Sequence, residues 1–338
     1  MIGNKYKYGI IDLSYILTRN VFATARGKKP GEFTAGDVIR MTIQTLNKIS
    51  RDYGVQVDKF LFFRDTWDKK YGGYYRTYLL KGLYKTTREY MTDEKLQELK
   101  KDPTKTQEEI EKAELDAYIN KVKTEAKWGL INGMKNFGVP CVSVDGWEFD
   151  DLAYLSSCML YGIGNKPSVI ITKDSDLQYS LTPMMDYFRI PTGGSQPVFI
   201  TYNEMYSTIP DSLKGKISLY QYKAILDSLG EGHNDMTKTR ADGVNIEETI
   251  LKILNEDYSN IIDYETFIKQ YNSFNIEQFP GFQKAQWIIS DQLDKIGKLG
   301  NNNEFKEFCN SYGVNGISER YFSEFIGRFD PNLYNNNE

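Results

Sequence analysis

The sequence predicts an α/β fold with a mostly parallel central sheet and helices on both faces. Short apolar runs rich in β-branched and aromatic residues recur at 6–12, 57–65, 139–145 and 168–174. Their continuous apolarity is typical of strands that are buried on both faces. Segments with helical spacing separate or follow these runs, and strands that alternate with helices indicate a parallel sheet covered on each side.

The helices follow from the spacing of apolar residues. Between the first two runs, residues 35–54 carry apolar side chains at helical spacing: Val38, Ile39, Ile43, Leu46 and Ile49. After the third run, a second helix is expected to open at Asp150. Both segments present an apolar stripe that a sheet can cover.

The remaining segments predict further helices. Residues 92–128 are helical in composition and dense in opposite charges, with a break near 102–106, which is typical of a solvated pair of surface helices. From about residue 204 onward, helical patterns dominate. We therefore expect an α/β core over 1–203 and a helical C-terminal region over 204–334.

Composition excludes several classes of protein. The chain has 338 residues, of which 40% are hydrophobic and 26% charged, as in a globular protein. No apolar run approaches the roughly 18 residues of a membrane span, so a cytoplasmic location without membrane contact is expected. His233 is the single histidine, which excludes zinc sites built on several histidines, and three cysteines without CxxC spacing imply no disulfide framework. The net charge of −4 argues against a uniformly basic nucleic-acid binder.

Acidic residues gather where the predicted strands end. The first, second and fourth runs end at an aspartate, and the third run is followed by a cluster of acids. The acids at these four strand ends are Asp12, Asp65, Glu148, Asp150, Asp151, Asp174 and Asp176. In open parallel sheets, ligands bind beyond the carboxyl ends of the strands, where the connecting loops converge. These side chains are therefore expected at one edge of the sheet.

Two explanations account for the acids at 148–151. Acidic residues cap helix N-termini and complement the helix dipole, but one aspartate satisfies that need. Two carboxylates about 4 Å apart repel by roughly 4 kcal/mol at an effective dielectric constant near 20, so a cluster of seven favours bound cations. Carboxylates without histidine or thiolate select hard ions such as magnesium or manganese, and we predict a site for one or two of them.

A basic and aromatic segment follows Asp65. Residues 69–90 interleave Lys and Arg with tyrosines, the combination that single-strand channels use to follow a phosphate backbone and stack on bases. Magnesium commonly acts on phosphates, and paired ions can cleave a phosphodiester. An amphipathic helix with Tyr facing the core and Lys facing water explains the same pattern.

Five short motifs run in a recognisable order: IIDLS around Asp12, FFRDTWD around Asp65, Y-K-x-x-R at 84–88, WEFDD at 147–151 and ITKDSDLQYSL at 171–181. With these motifs the chain resembles the flap endonuclease and 5′-3′ exonuclease family, most closely its bacteriophage ribonuclease H type. The resemblance covers about residues 1–240. It implies a PIN-like 5′ nuclease core with a helical arch or gateway at about 66–128.

The resemblance also implies roles for single residues. Two Mg²⁺ ions, with Mn²⁺ as a substitute, would be held by Asp12, Asp65, Glu148 and Asp150 in one site and by Asp151, Asp174 and Asp176 in the other. Catalytic Lys85 and Arg88 would hold the scissile phosphate. Arg76, Lys81 and Tyr84 would contact the nucleic acid, Tyr84 by stacking on a base.

The family's duplex-binding helical hairpin corresponds to about 226–254 and departs from the usual pattern. Glu231 and Asp235 are four residues apart rather than three, and Met236 replaces an asparagine. Asp235 is the implied metal ligand, and Lys238 and Arg240 are implied phosphate contacts. A helix capped by Asn245 is expected. The Gly-x-Gly repeat that accompanies a monovalent cation in the family is missing.

The activity implied is two-metal hydrolysis of phosphodiesters at 5′ ends or flap junctions, removing RNA primers and flaps in phage DNA replication. The substrate would be DNA or an RNA–DNA hybrid with a 5′ end or flap. The protein would be a monomer in the host cytoplasm, with a single-strand-binding protein as a partner. Two rival hypotheses stay open: a PIN-type endoribonuclease for single-stranded RNA, and a non-catalytic protein that binds DNA junctions.

Overall fold

The computed structural model describes residues 5–80, 93–164, 167–191, 195–231, 236–294 and 302–317. The strands in this part of the chain are β1 (Lys5–Asp12), β2 (Gln56–Phe63), β3 (Cys141–Val142), β4 (Ser168–Ile171), β5 (Met185–Arg189) and β6 (Val198–Ile200). The α-helices are α1 (Leu13–Ala25), α2 (Ala35–Asp52), α3 (Tyr75–Leu79), α4 (Asp93–Lys101), α5 (Gln107–Met134), α6 (Phe149–Ile163), α7 (Tyr202–Ser207), α8 (Leu219–Ser228), α9 (Ile246–Leu254), α10 (Tyr264–Asn272), α11 (Phe282–Asp294) and α12 (Asn302–Tyr312).

The predicted α/β fold with a mostly parallel sheet is confirmed. The strands form one sheet in the order β3-β2-β1-β4-β5-β6. β4 pairs with β5 in parallel, with Ser168 opposite Met185, whereas β5 pairs with β6 in antiparallel fashion, with Tyr187 opposite Ile200. The four predicted strands are present, although β3 is reduced to two residues. β5 and β6 were missing from the prediction because β5 includes charged residues and β6 is only three residues long.

The helical predictions are also confirmed. α2 covers the segment expected from its spacing, α6 begins at Phe149, and α4 and α5 are separated at 102–106 as the sequence indicates. Within 201–231, 236–294 and 302–317 the elements after β6 are helical. The predicted arch residues 81–92 lie outside the described part of the chain.

The chain divides into two compact units. The first contains Met1–Phe62, Glu89–Cys141 and Asp294–Glu338, and the second contains Phe63–Arg88 and Val142–Leu293.

In the first unit, α1, α2 and α5 pack against one another. The apolar face predicted for α2 is fully buried. Thr34 caps this helix through a capping box with Asp37. A Cβ atom on Gly36 would lie 2.1 Å from the carbonyl oxygen of Gly313, so only glycine permits this close approach of backbone.

In the second unit, buried contacts and helix caps position the helices. Trp147 is fully buried and its indole N–H donates to the Pro280 carbonyl at 2.9 Å, which anchors the start of α6. α8 and α10 pack together. Asn245 caps α9 by accepting from the Glu248 N–H at 3.1 Å, so the predicted cap is confirmed, and the chain turns before it at Gly243, which has a φ of 75°.

Among the described residues, no helix combines the length and the apolar character that a membrane crossing requires. Cys141, Cys158 and Cys309 are reduced cysteines.

Candidate active site

Backbone hydrogen bonds in the second unit bring Asp65 to the N-terminus of α6. The Thr66 N–H donates to the Trp147 carbonyl at 3.1 Å, and the Gly146 N–H donates to the Thr66 carbonyl at 2.8 Å. The segment after β2 therefore runs beside the segment that enters α6. Asp65 consequently meets the first turn of this helix.

Two carboxylates accept hydrogen bonds at this helix start. Asp65 Oδ1 accepts from the Phe149 N–H at 2.7 Å, and Asp151 Oδ2 accepts from the Glu148 N–H at 3.4 Å. Both bonds satisfy N–H groups that a helix terminus leaves without intrahelical partners. The acids near Glu148 therefore do serve as caps, and one of the caps comes from a distant part of the sequence.

Arg76 of α3 lies among these acids. Its side chain is almost fully buried and bonds to Asp151 Oδ1, and its Nη1 lies 3.6 Å from Glu148 Oε2. Its Nε donates to the Ser273 carbonyl at 3.2 Å, and the guanidinium lies over the Phe274 ring at 4.9 Å. The planar guanidinium can offset both negative charges at once.

This position corrects one expectation. Arg76 was predicted to contact nucleic acid, but only 3% of its surface is exposed. The reason is electrostatic: burying Glu148 and Asp151 without a counter-ion would be costly, so the guanidinium is drawn into the protein.

A second cation holds the acids that follow β4. Asp174 Oδ1 accepts from the Asp176 N–H at 2.9 Å and starts a 3-10 helix over 175–180. Lys223 of α8 places its Nζ 3.3 Å from Asp176 Oδ2 and 2.6 Å from both oxygens of Asp227. Asp227 is fully buried and Lys223 is 8% exposed, whereas Asp174 is exposed.

One acid from each group lines a narrow cleft, which we call the acidic cleft. Asp150 and Asp176 line it together with Arg76, Lys223 and Asp227. Its volume of about 30 Å³ leaves room for about two water-sized groups. Tyr220 and Phe274 complete the wall.

The donor set has the chemistry of a site for hard cations, because the acids of the acidic cleft and of the α6 N-terminus offer only carboxylate oxygens. As arranged, however, Arg76 and Lys223 hold several of these acids. Within the described ranges, no three Asp, Glu, His or Cys side chains converge closely enough to hold a metal ion. Metal binding would therefore require some acids to exchange their protein cations for the metal.

Asp12, another predicted metal ligand, belongs to the first unit. It occupies the N-cap position of α1, directly after β1, and its Oδ1 accepts from the Tyr15 N–H at 2.9 Å. The sequence placed this acid at a strand end, and the structure agrees.

Aromatic residues are concentrated between β2 and the end of α3. Trp67 is 64% exposed and Tyr78 is 52% exposed. Tyr71 contacts the rings of Tyr75 and Tyr78, and the Lys70 Nζ lies 5.2 Å over the Tyr71 ring. Tyr75 also packs edge-on against Phe279. This surface therefore combines a ring packed against the protein with the exposed rings of Trp67 and Tyr78.

Several residues named in the sequence analysis lie outside the part of the chain that the structure describes. Those outside the described residues are Lys81, Tyr84, Lys85, Arg88, His233 and Asp235. Their implied roles stay predictions.

The predicted phosphate contacts near the C-terminal hairpin differ from each other. Lys238 is exposed and pairs with Asp242. Arg240 is buried, donates to Glu231 at 2.6 Å and also donates to the Val244 carbonyl. Arg240 was predicted to contact phosphate, and its burial has the same electrostatic cause as that of Arg76. Glu231 is therefore held by an arginine in this structure.

Sequence reasoning missed Lys223 and Asp227. The signal was present, because a Lys–Asp pair at i and i+4 lies in an otherwise apolar stretch of α8, where the two side chains share one face. A charged pair on the buried face of a helix indicates a counter-charge from elsewhere, and Asp176 supplies it.

The sequence matches no protein-family profile, and a search of curated proteins finds no significant match. Among solved structures, the chain is similar to a bacteriophage T5 flap endonuclease in a pseudo-enzyme-product complex with DNA and metal ions, with 18% identity, a TM-score of 0.46 and coverage of 96% of this chain and 98% of that one. It is similar to the T5 5′-exonuclease with bound zinc, with 16% identity, a TM-score of 0.45 and the same coverage. It is also similar to the catalytic core of Rad2 in complex with a DNA substrate, with 12% identity, a TM-score of 0.36 and coverage of 95% and 78%.

Proposed function

We propose that this chain is a metal-dependent 5′ nuclease that hydrolyses phosphodiester bonds of DNA or RNA–DNA hybrids at 5′ ends or flap junctions. The observation that carries the proposal is the gathering of acids from three separate segments in the second unit. Asp65 and Asp151 meet at the N-terminus of α6, while Asp150 and Asp176 face the acidic cleft. The proposed division into a nuclease core to residue 203 and a helical region beyond it belongs to this proposal.

The metal ligands in the second unit would be Asp65, Glu148, Asp150, Asp151, Asp174 and Asp176, with Asp12 and Asp235 added from the sequence resemblance. When bound, two Mg²⁺ ions or Mn²⁺ in their place would activate a water and stabilise the charge that develops on the phosphate. Magnesium suits the oxygen-only donor set.

The chain's own residues would position the nucleic acid. The exposed rings of Trp67 and Tyr78 offer faces on which unpaired bases can stack, and Lys69 and Lys70 add positive charge beside them. Lys85 and Arg88 are proposed to hold the scissile phosphate, and Lys81 and Tyr84 to contact the strand. Lys238 is proposed to contact duplex phosphate.

The finer biological role is proposed on the resemblance alone. It comprises removal of RNA primers and flaps in phage DNA replication, action as a monomer in the host cytoplasm, and contact with a single-strand-binding protein.

The test uses 5′-labelled substrates: a DNA flap, an RNA–DNA hybrid and free single-stranded RNA. Purified protein with Mg²⁺ is expected to release short products from the flap and the hybrid. The Asp174→Asn variant is expected to lose cleavage while remaining folded, because Asp174 is exposed. The matched control Asp211→Asn removes a charge from a surface residue whose side chain is 93% exposed and should cleave normally. Cleavage of free RNA alone would support a PIN-type endoribonuclease instead.

One observation favours a second candidate, a non-catalytic protein that binds DNA junctions. Arg76 and Lys223 occupy positions among the acids that metal ions would need. Calorimetric titration with Mn²⁺ separates the two functions. Heat of binding that disappears in Asp174→Asn supports the nuclease, whereas binding of a flap without any metal binding supports the second candidate.

A further inference from the structure

The second unit contains a larger cleft behind the acidic cleft. Its volume is about 510 Å³, within the roughly 300–1,000 Å³ of sites for small organic ligands. It lies between α6, α8, the end of α10 and the start of α11, and we call it the aromatic cleft. Residues that define it include Tyr154, Cys158, Tyr220, Gln221, Tyr271 and Glu277.

Aromatic rings of fixed orientation form part of its wall. Tyr154 and Tyr220 are stacked, with ring centroids 3.5 Å apart and an interplanar angle of 6°. The Tyr220 hydroxyl donates to the Phe274 carbonyl at 3.1 Å, and its ring also meets the Phe274 ring edge-on. Burial raises the pKa of both tyrosines, so both phenols stay neutral at physiological pH. A rigid aromatic wall of this kind suits a flat ring.

The polar groups of the aromatic cleft include four amides and one carboxylate, beside the tyrosine hydroxyls and the Cys158 thiol. The amides belong to Gln221, Asn272, Asn275 and Gln286, and the carboxylate belongs to Glu277. The described lining includes no Lys or Arg, so the cleft offers a phosphate no counter-charge. Side-chain amides pair with the donor and acceptor edges of nucleobases, and a carboxylate accepts from exocyclic amino groups.

The aromatic cleft adjoins the candidate active site, since Tyr220 and Phe274 line both clefts. The Arg76 guanidinium lies over the Phe274 ring and also bonds to Asp151. Arg76 and Lys223 lie on the side of the acidic cleft together with Asp150, Asp176 and Asp227, so a phosphate there would be held through the metal ions of the proposed function. The amides lie in the aromatic cleft, where a base can be recognised.

We propose that the aromatic cleft binds a single unstacked nucleobase, with its sugar and phosphate directed toward the acidic cleft. The base could belong to the substrate strand or to a released mononucleotide. Assignment to the substrate strand rests on the proposed nuclease function, whereas recognition of the base itself does not.

Cys158 provides a reporter inside the aromatic cleft, and the other two free cysteines provide internal references. The experiment measures alkylation of each cysteine by iodoacetamide, using mass spectrometry of the corresponding peptides, with guanosine, adenosine, cytidine or ribose 5-phosphate added. At a nucleoside concentration ten times Kd, alkylation of Cys158 should slow about tenfold, because occupancy reduces the accessible fraction by that factor. Cys141 and Cys309 should react as before, and ribose 5-phosphate should protect none of the three.

Variants test whether the polar lining recognises the base. Glu277→Gln and Gln286→Ala alter an exposed and a half-buried residue of the lining and should leave the fold intact. Each is expected to raise the Kd of the nucleoside, measured from the concentration that protects Cys158, by about tenfold. This is equivalent to the loss of one good hydrogen bond. Gln278→Ala is the matched control, since Gln278 is an exposed neighbour of Glu277 outside the lining.

A further pair of ligands identifies the source of the base. One ligand is a flap oligonucleotide, and the other is the same oligonucleotide with an abasic 5′ nucleotide. If the first protects Cys158 and the second does not, the cleft is assigned to the substrate strand. Protection by nucleosides alone assigns it to a free product. If neither nucleosides nor oligonucleotides protect Cys158 in protein that cleaves flaps, the base site is overturned and the nuclease stands. Protection by nucleosides in protein that cleaves no flap supports the base site and overturns the nuclease.

Discussion

Replacing Arg76 with methionine tests whether the buried acids of α6 need a cation. Met retains part of the apolar stem that packs on Phe274 but removes the guanidinium. The side chains of Arg76, Glu148 and Asp151 are only 4%, 3% and 1% exposed, so solvent screens their charges poorly. Removing one partner of such a buried pair costs about 3–5 kcal/mol, and we expect Arg76→Met to lose about that much unfolding free energy.

The assay is urea unfolding in EDTA, with Arg51→Met as the control. Arg51 is 62% exposed and pairs with its neighbour Asp52, so this variant should match the wild type. Adding Asp151→Asn to Arg76→Met removes one of the stranded charges and should recover part of the loss, a coupling of about 0.5–3 kcal/mol. If the acids bind metal, Mn²⁺ at about 100 times Kd should stabilise Arg76→Met by about 2.7 kcal/mol.

Two results would refute this reasoning. Arg76→Met could be as stable as the wild type in EDTA, which would mean that Glu148 and Asp151 do not depend on the guanidinium. Alternatively, the double variant could lose as much unfolding free energy as Arg76→Met and Asp151→Asn lose separately when added together. This would mean that the two residues are not coupled.

Three other perturbations have defined outcomes. Lys223→Met should cost about 3–5 kcal/mol in urea unfolding because Asp227 is fully buried against it, whereas exposed Lys216→Met should leave the midpoint unchanged. Gly230→Ala should cost about 1–3 kcal/mol in thermal unfolding, since Gly230 has a φ of 77° and its Cβ would lie 2.4 Å from Lys238 Cα; a wild-type midpoint would mean that this turn relaxes easily. Burial raises the pKa of Cys309 to about 11, so its alkylation rate should still be rising between pH 9 and 11, and a plateau near pH 9 would contradict this.

The sequence was sufficient for the elements that bury an apolar face. α2 has five apolar residues at helical spacing, and the four predicted strands have continuous apolar runs, so local pattern and tertiary burial agree. β5 has a weaker pattern because it includes Asp186 and Arg189, and β6 has only three residues and lies at the antiparallel edge of the sheet. Short edge strands of this kind depend on their neighbours more than on their own composition.

The candidate site shows a different limit of sequence reasoning. Strand-end acids were recognisable because an excess of like charge needs an explanation. The cations that balance this charge were not, because Arg76 and Lys223 look like ordinary surface residues in the sequence and their burial depends on contacts with Ser273 and Asp227. A counter-charge can come from any element, so only the fold reveals which one supplies it.

Capping and metal ligation at the start of α6 are compatible for some acids and compete for others. Asp65 uses one oxygen in its cap to Phe149, and a carboxylate offers about four lone-pair sites, so capping does not prevent it from binding a metal. Asp151 is different, because Oδ2 accepts from the Glu148 N–H while Oδ1 is held by Arg76. Direct ligation by Asp151 must therefore displace Arg76, or Asp151 must act through a metal-bound water. In the first case metal affinity rises when Arg76 is removed, and in the second it does not, so Mn²⁺ titration of Arg76→Met distinguishes the two arrangements.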